Sequence, residues 1–274
     1  MSVCEKPELG WVAKPSPRSL FFIHIPKTAG TTFQTILSRV YRSTPYCSVY
    51  PNWETSKPVI VGHSWGAALR AVGGHFPYGL HDDPELRPLV SEEVDYVTFL
   101  RDPVARVVSH FNHVMNGEYP DHREVFARHP TIEKFLEHKW ARDVQTKFIL
   151  GYEYRIDDDP EAAIRDATAI LRDRIQVVGL AERFDESLIL CAEAFGWELP
   201  TYVSENRAVD RAKKLRVKDL AKSTIDRIKA ANRCDMAVYE RAKALFEEQC
   251  ARTPGFAVKL NRYRARFEPG VAVA

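Results

Sequence analysis

The segment Leu20-Phe21-Phe22-Ile23-His24-Ile25-Pro26-Lys27-Thr28-Ala29-Gly30-Thr31-Thr32-Phe33 constrains this chain more than any other. Leu20 to Ile25 is a run of mostly apolar, β-prone residues stopped by Pro26, which reads as a short buried strand. Apolar residues then recur at Phe33, Ile36, Leu37 and Val40, the spacing of one helix face. A strand, a tight loop and a helix in succession turn backbone N–H groups and a helix N-terminus onto one spot, an arrangement that suits an anion. Lys27 adds a positive charge, and Thr28, Thr31 and Thr32 add hydroxyls. In a Walker A loop, G-x-x-x-x-G-K-[ST], the lysine follows the second glycine. Here Lys27 precedes Gly30, so an anion loop of another kind is expected.

A second strand-to-helix passage follows at Tyr96-Val97-Thr98-Phe99-Leu100-Arg101-Asp102-Pro103. Pro103 suits the first turn of a helix, which Val104, Val107, Val108 and Phe111 continue. Arg101 falls at the strand's carboxyl end, where open α/β sheets bind their ligands. Ser109 lies two helical turns further on. A guanidinium and a hydroxyl together suit a terminal phosphate.

The run His24 to Phe33 closely resembles the 5′-phosphosulfate loop of sulfotransferases. The nearest group in appearance is the carbohydrate sulfotransferases that include the heparan sulfate 2-O- and 6-O-enzymes and their soluble bacterial relatives. The Arg101/Ser109 segment resembles the 3′-phosphate motif of the same family. The resemblance covers roughly residues 20–250, and only these two motifs are specific. It implies an α/β fold with a P-loop NTPase-like parallel sheet and helices on both faces. It also implies 3′-phosphoadenosine 5′-phosphosulfate (PAPS) as the donor, PAP as the product, and no metal. Pro26, Lys27, Thr28, Ala29, Gly30, Thr31 and Thr32 would hold the 5′ end, with Lys27 stabilising the departing phosphate. Arg101 and Ser109 would hold the 3′-phosphate.

His75, in Gly73-Gly74-His75-Phe76, resembles the family's catalytic histidine and is the expected general base, with His81 in reserve. Tyr78, His81 and Gln145 are assigned to the acceptor side. Asp143 stands where relatives usually carry Asn, a departure that bears on acceptor contacts. Ser204-Glu205-Asn206-Arg207 sits where relatives carry a lid, and Arg207 is expected to join the nucleotide site. His24 is read as buried structure that points away from the loop. His110 and His113 stand three apart on a helix with no third metal ligand in the sequence.

Elsewhere, Val59-Ile60-Val61 reads as a strand and Gly73 to Gly79 as a turn-rich loop. Ile132 to Leu150 reads as a helix, as does Glu161 to Leu171 after a break at Asp157-Asp158-Asp159-Pro160. Ile175 to Leu180 reads as a strand, Ser187 to Phe195 as a helix, and Val217 to Phe246 as one or two long helices. Strands alternating with helices predict a mostly parallel sheet. No linker or repeat is seen, so one domain over 1–274 is expected, with its core at about 20–250.

The 274 residues carry 39 basic and 37 acidic side chains, a balance that argues against nucleic-acid coating or a polybasic membrane surface. The balance hides a gradient: residues 201–274 hold 17 basic and 9 acidic residues. That end is where an anionic ligand would gain most from attraction. The five cysteines are odd in number and lack C-x-x-C spacing, which speaks against a disulfide scaffold. With no signal-peptide core and no membrane-spanning run, a soluble cytoplasmic enzyme with no membrane or nucleic-acid partner is expected. The sequence carries no signal for an oligomeric state.

Three other functions stay open at this level. Gly62-His63-Ser64-Trp65-Gly66 after an apolar run matches the α/β-hydrolase elbow, with Ser64 as nucleophile. That fold needs a histidine late in the chain, and the last one here is His138. A kinase-like phosphotransferase and a non-catalytic PAP-binding module are the others. The acceptor is read only as a saccharide or small molecule, facing aromatics from the 41–95 region.

Overall fold

Ser19–Ile23 forms the strand β1, and all five residues are buried. Successive side chains on a strand point to opposite faces, so both faces of β1 are covered. The computed structural model describes residues 16–117, 120–199 and 214–266. After β1 the chain runs through α1 (Gly30–Val40), β2 (Tyr46–Val49), α2 (Trp53–Gly62), β3 (Ala71–Gly74) and β4 (Val94–Leu100). Then come α3 (Pro103–Met115), α4 (Pro120–Arg128), α5 (Ile132–Phe135), α6 (Val144–Leu150) and α7 (Pro160–Asp173). Strand β5 (Val177–Leu180) is followed by α8 (Phe184–Phe195), α9 (Lys222–Ala231), α10 (Arg233–Arg252) and α11 (Phe256–Ala265).

Among the described residues the strands form one sheet in the order β2-β3-β1-β4-β5, every pair parallel. From β1 the chain leaves through α1 toward β2 and β3. From β4 it leaves through α3 toward β5. Adjacent strands thus send their connections to opposite sides, which opens a crevice at their carboxyl ends. Helix α1 packs on β3, while α8 and α10 pack on β5. The α/β fold with a covered parallel sheet is the one expected.

Three local readings change. Val59-Ile60-Val61 is not a strand but the end of α2. Asn52 caps that helix by accepting the Thr55 N–H at 2.9 Å. Trp53, Ser56 and Ile60 recur on its buried side, while Val59 is 74% exposed. The hydrolase elbow loses its strand, and Ser64 sits exposed in the following loop. Ile132 to Leu150 is not one helix: α5 and α6 are separated by a 3-10 turn at Lys139–Ala141 and by Asp143 in a left-handed conformation. Gly73 and Gly74 end β3 before the loop begins. Their lack of a side chain matters, because a Cβ on Gly73 would press on the Gln34 amide and one on Gly74 would overlap the Val49 carbonyl.

Candidate active site

The loop after β1 is shaped by its backbone. Lys27 and Ala29 adopt φ of 71° and 68°, a region that non-glycine residues seldom occupy. Alternating left-handed residues gather N–H groups into an anion-binding hollow. Ala29 is the N-cap of α1, no side chain caps the helix, and its first turn holds no acidic residue. The opening N–H groups are therefore left for a ligand. Thr28 is fully buried and donates its hydroxyl to the Ile25 carbonyl at 2.8 Å, so it fastens the loop instead of lining it. Thr32 is buried as well, whereas Thr31 is exposed.

Arg101 lies where β4 ends, beside this loop. Its Nη1 donates to the Lys27 carbonyl at 3.1 Å, so the two motifs meet. Its backbone is held by Gln145: the Arg101 N–H donates to Oε1 at 2.8 Å, and Nε2 donates to the Arg101 carbonyl at 2.9 Å. Asp102 caps α3 by accepting the Ala105 N–H at 2.8 Å, and Pro103 takes the first helical position as the sequence predicts. Glu182 accepts the Asp102 N–H at 2.9 Å and stands 3.9 Å from the Arg101 guanidinium. Ser109 is half-buried on α3. One turn further, Asn112 bonds both backbone groups of Leu215 (3.0 and 2.8 Å), which pins residues 214–216 to the helix that carries Ser109. Arg207 lies outside the described residues.

His75 follows β3 at the same end of the sheet. Its Nδ1 lies 2.7 Å from the His24 carbonyl oxygen, which can only accept. Nδ1 therefore carries the proton, and Nε2 keeps a lone pair. Burial pulls the His75 pKa below the ordinary imidazole value, opposed by that hydrogen bond, so the ring is neutral at neutral pH. The His24 ring lies against it at a tilt of 33° with centroids 4.5 Å apart, and Tyr50 meets it edge-on at 4.7 Å.

His24 is buried, but it does not point away from the loop. Its Nδ1 bonds the Tyr50 hydroxyl. Its Nε2 edge lies against Gly30, where an added Cβ would overlap the ring. Burial, then His75 and then Lys27, hold His24 well below the usual histidine pKa. This contact requires the glycine and escapes a sequence reading, because it joins a strand end to a helix start through packing alone.

Other expected residues fall elsewhere. His81 bonds the Tyr96 hydroxyl at 2.9 Å. His81 and Tyr78 line a cavity of about 280 Å³ with Arg18 and Val94, at the amino ends of β1 and β4. That is the opposite end of the sheet from Lys27, which follows the carboxyl end of β1. Gln145 is fully buried with both amide atoms engaged by Arg101, so it does not face an acceptor. His110 is buried and donates to the Trp140 carbonyl at 3.1 Å.

A family model described as Galactose-3-O-sulfotransferase matches residues 4–266. Galactose-3-O-sulfotransferase 2 of Mus musculus is 26% identical over 217 residues, 70% of this chain and 53% of that protein. Galactose-3-O-sulfotransferase 3 of Bos taurus is 26% identical over 257 residues, 87% of this chain and 59% of that protein. The chain thus spans little more than half the length of these relatives. A solved sulfotransferase structure from Alicyclobacillus acidocaldarius superposes with a TM-score of 0.41 at 16% identity, covering 86% of this chain and 97% of that one.

Proposed function

The chain belongs to the galactose-3-O-sulfotransferase family, and from that membership we propose that it moves a sulfuryl group from PAPS to a hydroxyl of a galactose-bearing acceptor. The heparan sulfate enzymes suggested by the motifs are carbohydrate sulfotransferases too. The description of the matched family favours a galactoside as the acceptor.

The observation that carries the reading is the bond from Arg101 to the Lys27 carbonyl. It holds the arginine expected at the 3′-phosphate against the lysine expected at the phosphosulfate. That juxtaposition supports a nucleotide that carries phosphate at both its 3′ and 5′ positions. The left-handed loop and the uncapped start of α1 supply N–H donors for the phosphosulfate. These residues fit PAPS without a metal, since Lys27 and the N–H groups supply positive charge.

In the proposed step, Nε2 of His75 takes the acceptor hydroxyl proton. The acceptor oxygen forms a bond to sulfur while the bond from sulfur to the phosphate oxygen breaks. The electron pair stays on that phosphate oxygen, and Lys27 with the loop N–H groups stabilises it. Such donors act most where charge develops in the transition state. Calorimetry with PAP against ADP tests the donor. A tighter fit for PAP is expected, and equal affinity would point to a kinase-like site.

A further inference from the structure

Helices α6 and α10 meet start to start. Asp143, the N-cap of α6, accepts the Asp235 N–H of α10 at 2.9 Å. Asp235 returns the contact by accepting the Gln145 N–H at 3.1 Å and both the Thr146 N–H and hydroxyl at 2.8 Å. Asn232 accepts the Asp143 N–H at 3.0 Å. Each carboxylate thus caps the other helix, and two positive helix ends share two acidic side chains. Gln145, Thr146, Asn232 and Asp235 are all fully buried. The network includes Gln145, whose side-chain amide bonds both backbone groups of Arg101.

We infer that Gln145 is the positioning residue for Arg101, and that the reciprocal Asp143–Asp235 caps hold it in register. Arg101 is the first residue beyond β4, where the sheet no longer supplies partners for its N–H and carbonyl. A carboxamide offers one acceptor and one donor side by side, so it continues the ladder as a neighbouring strand would. A glutamate in the same place could accept but not donate, and would set a carboxylate against the Arg101 carbonyl. With the backbone fixed, the guanidinium reaches the Lys27 carbonyl and the 3′-phosphate side of the crevice. The inference rests on the reading of Arg101 as the 3′-phosphate ligand.

Calorimetry of the full chain with PAP and with 5′-AMP, which lacks the 3′-phosphate, tests it. Gln145→Glu and the nearly isosteric Gln145→Met are expected to weaken PAP about tenfold and to leave 5′-AMP within twofold. Thr146→Val, which removes one Asp235 bond without touching Gln145, is expected to weaken PAP two- to threefold in the same selective way. Melting curves identify variants that fold, and Thr146→Val keeps the test open if the Gln145 variants do not. Equal loss for both nucleotides, or PAP binding unchanged in the Gln145 variants while Arg101→Ala loses it, overturns the positioning role. Unchanged PAP binding in Arg101→Ala instead overturns the 3′-phosphate reading, and the inference with it.

Discussion

His75 donates its Nδ1 proton to the His24 carbonyl at 2.7 Å, and the His24 ring packs against the His75 ring at a tilt, with centroids 4.5 Å apart. One residue therefore fixes the tautomer of the other and packs against its ring. The free lone pair on Nε2 is what a hydroxyl acceptor needs from a general base. His75→Ala is expected to lower kcat about 10²–10⁴-fold while PAP affinity holds. Because burial keeps the His75 pKa below 6.5, kcat/KM should rise with pH along an acid limb and level off before neutrality. A profile still climbing above pH 7.5 would assign the base to another group.

Lys27 tests charge separately from backbone shape. Its φ of 71° suits glycine better than any side chain. Lys27→Gly therefore removes the ammonium while easing the loop. Turnover should fall about 10²–10³-fold, the scale for losing one preorganised group at a developing charge. Steady-state kinetics with saturating donor checks it, and a loss under threefold would remove Lys27 from the transition state.

Gly30 carries a sign that helix propensity alone gets wrong. As the first residue of α1, Gly30→Ala would favour the helix by up to about 1 kcal/mol. The added methyl overlaps His24, whose ring is held by Tyr50, Phe22 and His75 and has little room to turn. Net destabilisation of about 1–3 kcal/mol is expected from overpacking. Urea denaturation decides it, and a more stable variant would mean that His24 moves freely.

Asp143 sets a pH dependence opposite to that of the buried histidines. Burial, and then the neighbouring Asp235 charge, push its pKa well above the usual carboxylate range, opposed by the Asp235 backbone N–H bond and then by Lys147. A raised folded-state pKa gives stability that is present below the unfolded value and lost as pH rises toward and through neutrality. Asn can accept the Asp235 N–H without ionising. Asp143→Asn should therefore raise the melting temperature most at pH 8, less at pH 5, and little below the unfolded carboxylate pKa. An equal shift at both values would mean that Asp143 does not titrate in the fold.

Strands β1, β4 and β5 were legible because their apolar runs are buried on both faces. Val59-Ile60-Val61 misled because β-branched residues also occur on exposed helix faces, and the Asn52 cap with Trp53, Ser56 and Ile60 was the better signal. Tyr46–Val49 and Ala71–Gly74 are short and partly polar or small, and only pairing with β1 and each other makes them strands. The positions of Lys27, Arg101 and His75 at the carboxyl ends of β1, β4 and β3 are legible because apolar runs and the glycines before His75 mark where those strands end. Those of His81 and Tyr78 are not, since the chain doubles back from His75 to the far end of the sheet. The partner of Gln145 is a backbone 44 residues away, and no local pattern marks such a contact.

Transfer of labelled sulfate from PAPS to a β-galactoside tests the central claim most directly. Product analysis should find the label on a galactose hydroxyl, with PAP released in equal amount, and His75→Ala should bind PAP yet transfer almost nothing. A protein that binds PAP tightly but moves no label to any galactoside, or one in which His75→Ala transfers at the parent rate, would contradict it.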